Sequence, residues 1–156
     1  MAIDIVGGKG SLPTTRSGCR YILTVVDLFT RWAEAFPLAN QKATTIARTL
    51  VRGWICRYGV PYRVLSDQGR NVDARKARAL ASILQSHKTH TVAFKPSTNG
   101  ACERFNRTLK QMLVRLTNDR QDSWDELLPH AMLAYRSTVH RGTGFTPFRL
   151  LFGREI

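Results

Sequence analysis

Three acidic residues stand where solvation alone does not explain them. Asp4 interrupts the apolar stretch Ala2-Ile3-Asp4-Ile5-Val6, where an unpaired carboxylate would be costly to bury. Asp67 follows Val64-Leu65-Ser66 and precedes Gln68-Gly69, which places it at a strand end where the chain turns. Glu103 opens a run in which Phe105, Leu109, Met112 and Leu116 recur at helical spacing. Glu103, Arg107 and Lys110 share the same spacing on a different face, so an acid and two cations look out of that helix together. Carboxylates brought close repel one another unless a cation lies among them. Hard oxygen ligands suit magnesium or manganese, and two such ions about 3.5–4 Å apart can clamp both oxygens of an in-line phosphoryl displacement. Each acid also has a plainer reading. An aspartate in a turn leading to glycine is ordinary, and a glutamate in a first helical turn is favoured by the macrodipole.

The elements that must position these acids follow from periodicity. Residues 2–6 read as a strand carrying Asp4, followed by a glycine-rich turn ending near Pro13. Residues 21–27 are an apolar, β-branched run suited to a buried central strand, and 32–36 a third strand, the three forming an antiparallel meander. The spacing predicts a helix over 44–58, with Ile46, Leu50, Trp54 (or Val51) and Tyr58 on one side and Gly59 and Pro61 as its stop. A strand over 63–66 then delivers Asp67. A helix over 73–85, a strand over 88–93 and a loop over 94–98 lead to the Glu103 helix. A last helix over 124–138 turns Leu127, Leu128, Ala131, Leu133 (or Met132) and Tyr135 inward, with Asp122 or Ser123 as N-cap. Strands first and helices later, with one strand between helices, give an α/β architecture: a five-stranded mixed sheet flanked by helices.

The chain of 156 residues has one domain's length, and its 24 Lys and Arg against 11 Asp and Glu leave a net charge of +13. Such an excess points to a polyanionic partner, nucleic acid before membrane, since no apolar stretch is long enough to span a bilayer. No secretory signal is expected at the amino terminus. Cys19, Cys56 and Cys102 lack zinc-type spacing and read as reduced thiols, and His87 and His90 as surface histidines. Lys95 and Asn99 lie just before the Glu103 helix, and with Arg107 and Lys110 they are placed to hold phosphates, a base or a sugar. The plain alternative is a solvated face. Arg104 points elsewhere on the helix, and Arg136, His140 and Arg141 face either nucleic acid or solvent.

Asp4-Ile5-Val6-Gly7, the run Tyr21–Trp32, Ser66-Asp67-Gln68-Gly69-Arg70-Asn71, Glu103–Lys110, Thr143-Gly144-Phe145-Thr146-Pro147 and Leu151-Phe152-Gly153-Arg154 together resemble the integrase core of gypsy-type retrotransposons and retroviruses. The resemblance runs in order over nearly the whole chain. It implies a ribonuclease-H-like fold and a two-metal site of Mg²⁺ or Mn²⁺ held by Asp4, Asp67 and Glu103, with thirty-five residues between the last two. It further implies DNA 3′-end processing and strand transfer, contact of Arg107 and Lys110 with a DNA end, a homo-oligomer and a nuclear location. The chain departs from the family pattern at Gly8–Ser11, at Lys95 where histidine is usual, and at Ala101-Cys102. It starts three residues before Asp4, so half of the first strand is missing and fraying there is expected. The family's zinc-binding and C-terminal DNA-binding domains are absent from it. Two alternatives accompany the enzyme reading: an integrase-derived module that binds nucleic acid or protein without chemistry, and a nuclease of RNA–DNA hybrids, against which the Glu103 and Gly144–Pro147 motifs argue.

Overall fold

The computed structural model describes residues 1–8, 12–66, 90–91, 96–117 and 121–156. Asp67, Lys95 and the helix expected over 73–85 lie outside the described residues. Five strands form one mixed sheet in the order β3-β2-β1-β4-β5: β1 (Ala2–Gly7), β2 (Tyr21–Val26), β3 (Ala33–Leu38), β4 (Arg63–Ser66) and β5 (His90–Thr91). The β3-β2-β1 meander is antiparallel, while β4 joins β1 and β5 in parallel. The mixed five-stranded sheet expected from the sequence is therefore present. The short first strand is paired along its length in this structure. Every residue of β1 from Ala2 to Gly7 is paired to β2, and Ala2 and Ile3 are paired to β4 on the other edge. Hydrogen bonding on both edges holds a strand too short to persist alone.

Strand side chains alternate between faces, and the two faces feed two cores. Ala2, Val6, Ile22 and Val26 pack with Cys102, Phe105, Leu109, Trp124 and Leu128 on one side. Ile3, Leu23 and Val25 pack with Ile46, Leu50, Trp54 and Val64 on the other. Asp4 is in register with Ala2 and Val6, so it belongs to the first face, opposite the fully buried Thr24 of β2.

The second face is covered by α1 (Ala43–Leu50), which widens into a π-helical stretch Val51–Ile55 and closes as α2 (Cys56–Tyr58). Trp54, not Val51, is the buried residue of that stretch. Gly53 lets it approach the sheet, because a Cβ there would lie 2.5 Å from the Phe36 ring. Gly59, at φ +82°, stops the helix as its sequence position suggested.

The first face is covered by α3 (Pro96–Thr117) and α4 (Trp124–Ser137). Two expectations are corrected here. Residues 96–98 are helical and not loop, because proline is tolerated in a first turn whose N–H groups have no intrahelical partner. The inward stripe of α3 is Cys102, Phe105, Leu109 and Leu113, whereas Leu116 is 42% exposed. On α4, Met132 is buried and Leu133 exposed, and Ser123 stands at the N-cap without a capping side-chain hydrogen bond. A short helix α5 (Pro147–Phe152), not expected from periodicity, is capped by Thr146, whose Oγ1 accepts the Arg149 N–H at 3.0 Å. Among the described residues no helix is long and apolar enough to cross a membrane.

The edge strand β3 is fastened by a buried charge. Glu34, 5% exposed, meets Arg136 of α4 at 2.5 Å and accepts the Tyr58 hydroxyl of α2 at 2.7 Å. Arg136 also donates to the Ala33 carbonyl from Nε and Nη2 (3.0 and 2.7 Å) and lies 4.2 Å from the centre of the Trp32 ring. One carboxylate thus ties both helical layers to the sheet edge. Arg136, grouped by sequence with His140 and Arg141, is a structural cation turned inward.

Candidate active site

The central strand fixes Asp4 and the helix packed on it supplies the partner. Asp4 Oδ1 accepts the Ile5 N–H at 2.7 Å, and Oδ2 accepts Asn106 Nδ2 at 2.6 Å. Asn106 is 8% exposed and lies on the inward side of α3, between Cys102 and Leu109. A hydrogen bond to an ionised carboxylate from a buried amide is among the stronger kinds, worth about 1.5–3 kcal/mol. It locks the rotamer of Asp4 against the sheet. Sequence reasoning missed Asn106, although a signal was there: a polar residue three after Glu103 in an otherwise apolar stripe.

Glu103, Arg107 and Lys110 are all exposed, and they share one flank of α3 because each helical residue advances about 100°. The structure therefore brings Glu103 to the same helix that holds Asp4, one turn before Asn106. Between them Cys102 is 1% exposed. Burial pushes its thiol up to about 12, the Asp4 and Glu103 carboxylates adding to the effect against the amino terminus. Both acids thus act on one buried sulfur from their two elements. The third acid, Asp67, is outside the described residues, and β4, which leads to it, ends at Ser66 beside Ile3 of β1. Lys95 is likewise outside them. Asn99 lies in the first turns of α3 rather than in a loop. Among the described residues no three His, Cys, Asp or Glu side chains gather as a metal-holding group.

The donor set nevertheless fits a hard divalent ion. Asp4 offers carboxylate oxygen in a fixed orientation, which is the role of outer-shell hydrogen bonds at metal centres. Asn106 donates its amide N–H to Asp4, and its Oδ1 is buried with no hydrogen-bond donor. A buried acceptor of this kind is rare in folded proteins, and were a divalent ion held by Asp4 it could accept a hydrogen bond from that ion's hydration water.

Known proteins carry the same arrangement of chain. The family model described as "Integrase core domain" matches residues 2–99. The Gag-Pol polyprotein of avian reticuloendotheliosis virus is 36% identical over 90% of this chain, and that of woolly monkey sarcoma virus 35% identical over 88%. The chain spans only 12% and 8% of the length of these two relatives. Among solved structures, the HTLV-2 integrase catalytic core domain in complex with magnesium superposes with a TM-score of 0.73 at 16% identity, over 96% of this chain and 93% of that one. This likeness establishes the ribonuclease-H-like fold. Since the family match takes in more than half of the sequence, including the strand of Asp4, the chain belongs to the integrase core domain family.

Proposed function

We propose that the chain is the catalytic core of an integrase-like polynucleotidyl transferase that trims DNA 3′ ends and joins them to a target strand. The observation that carries this reading is the clamp of Asn106 on Asp4, which maintains a carboxylate in a central strand at a desolvation cost that folding alone does not require. Asp4, Asp67 and Glu103 would hold Mg²⁺ or Mn²⁺. When bound, such ions activate an attacking water or 3′-hydroxyl and neutralise the leaving 3′ oxygen of an in-line displacement. The chain's own residues do the rest. Asn106 orients Asp4, and Arg107 and Lys110, exposed beside Glu103, hold the phosphates flanking the reacting bond. Lys95 and Asn99 extend that contact toward the helix start. The net charge of +13 supports DNA as the partner. Homo-oligomeric assembly is proposed on the likeness to a core described in a trimeric form, and a nuclear site of action on the family alone.

The test is cleavage and joining of a labelled donor oligonucleotide with Mg²⁺ or Mn²⁺ by the parent chain, Asp67→Asn and Glu103→Gln. Both variants are expected to lose product while keeping their fold. Metal-dependent cleavage retained in either variant would overturn the assignment.

A further inference from the structure

A cleft of about 500 Å³ lies on the flank of α3 opposite Glu103. Ala101, Arg104, Phe105 and Thr108 face it, and at about 100° per residue these positions fall on the other side of the core stripe from Glu103, Arg107 and Lys110. Its remaining walls come from the β2–β3 turn, the end of α4 and the loop that follows. Its charge is one-sided: Arg31, Arg104 and Arg141 line it together with His140, whose ring is neutral, and no acid does. Asp27, next to Val26 of the lining, directs Oδ2 to the Thr30 N–H and hydroxyl at 2.9 and 2.5 Å. Among the described residues no ion pair is formed by Arg31, Arg104 or Arg141.

We propose that this cleft is a phosphate-binding site, with Arg31, Arg104 and Arg141 as its ligating cations. The decisive feature is Arg31. Its backbone sits at φ +63°, a region non-glycine residues rarely occupy, and its Nε is buried without a hydrogen-bond partner. That Nε has no acceptor within the protein, whereas buried donors are nearly always satisfied. Arg104 folds back over Gly100, whose missing Cβ leaves the space: a Cβ there would lie 3.1 Å from Nη1. His140 Nδ1 accepts the Gly142 N–H at 3.2 Å, so the neutral ring presents an N–H at Nε2. Thr108 and Tyr135 also line it, the Thr108 hydroxyl donating to the Arg104 carbonyl at 3.0 Å and so tying that arginine's turn of α3. Burial lowers the His140 pKa, and the positive charges of Arg31 and Arg104 lower it further. Planar guanidinium forks match phosphate oxygens bidentately, and carboxylate-free surroundings favour a multiply charged anion over a single carboxylate. The volume is that of a small-ligand site. It admits either a free polyphosphate or successive phosphates of a nucleic-acid backbone. This assignment is independent of the metal chemistry proposed above.

Two titrations distinguish the sources: calorimetry of the parent chain with inorganic pyrophosphate, and duplex-oligonucleotide binding at several salt concentrations. Each is repeated on Arg104→Gln and Arg141→Gln, both exposed and so tolerant of replacement, on Arg31→Asn, and on Arg52→Gln, an exposed control on the opposite helical layer. Saturable pyrophosphate binding that weakens about tenfold or more in the cleft variants, and not in Arg52→Gln, supports the site with a free ligand. Absent pyrophosphate binding, with a duplex salt slope reduced by about one phosphate contact in each cleft variant, supports it with the backbone as ligand. Equal behaviour of parent and cleft variants with both probes, or binding of neither probe, overturns the proposal.

Discussion

Replacing Arg136 by methionine isolates the energy of the buried charge that fastens the sheet edge. In the parent, Arg136 and Glu34 side chains are only 15% and 7% exposed and lie 2.5 Å apart. The substitution keeps the aliphatic stem against Trp32 but removes the ion pair and both donations to Ala33. Breaking one side of a buried pair costs about 3–5 kcal/mol, because the remaining charge stays desolvated. Glu34 keeps the Tyr58 hydroxyl and Arg57, whose side chain is half exposed and so adds little. The expectation is therefore the low end, about 3 kcal/mol, or a melting temperature lowered by about 6–12 °C for a domain of this size. Thermal unfolding followed by circular dichroism reads it. The diagnostic is the second substitution: Glu34→Met added to Arg136→Met should restore at least about 1 kcal/mol, since the orphaned charge is then gone. The reasoning is refuted if Arg136→Met melts within about 2 °C of the parent. A double variant less stable than Arg136→Met alone would refute it equally.

Asn106→Ala should leave the fold intact and weaken calorimetric Mg²⁺ affinity about 10–100-fold, the usual effect of losing an outer-shell partner. In a thiol-labelling assay at pH 8, exposed Cys56 and half-buried Cys19 should react at once. Cys102, buried and with its thiol pushed up to about 12, should react only in denaturant. Burial first, and then the bond to Glu34, raises the Tyr58 phenol from 10.0 to about 12. Because the folded value is the higher one, its stabilisation is complete below pH 10 and disappears as pH rises through 12. Parent and Tyr58→Phe stability curves should therefore converge between those values, and parallel curves there would exclude this linkage.

The amino-acid sequence by itself determined the strands of the meander and the main helical faces, and it singled out Asp4, Asp67 and Glu103 as candidate acids. Alternation along 2–6 and 21–27 wrote the two faces of the sheet. Apolar spacing fixed the helix over 44–58 and its glycine stop, and Glu103, Arg107 and Lys110 were legible as one exposed flank of a helix. These are local signals, repeating every two residues or every turn, and need no knowledge of what lies opposite. The misplacements were local too. Periodicity alone could not choose Leu113 over Leu116 or Met132 over Leu133, because neighbouring apolar positions fit one stripe almost equally well and packing against the sheet selects between them. Tertiary structure decided every meeting across the chain: Asp4 with Asn106, 102 residues on, and Ala33 with Arg136, 103 residues on. It also assembled Arg31, Arg104 and Arg141 around one cleft from three separate segments. Such contacts depend on strand register and on how each helix is rotated over the sheet, and one residue of slip turns a side chain to the other face.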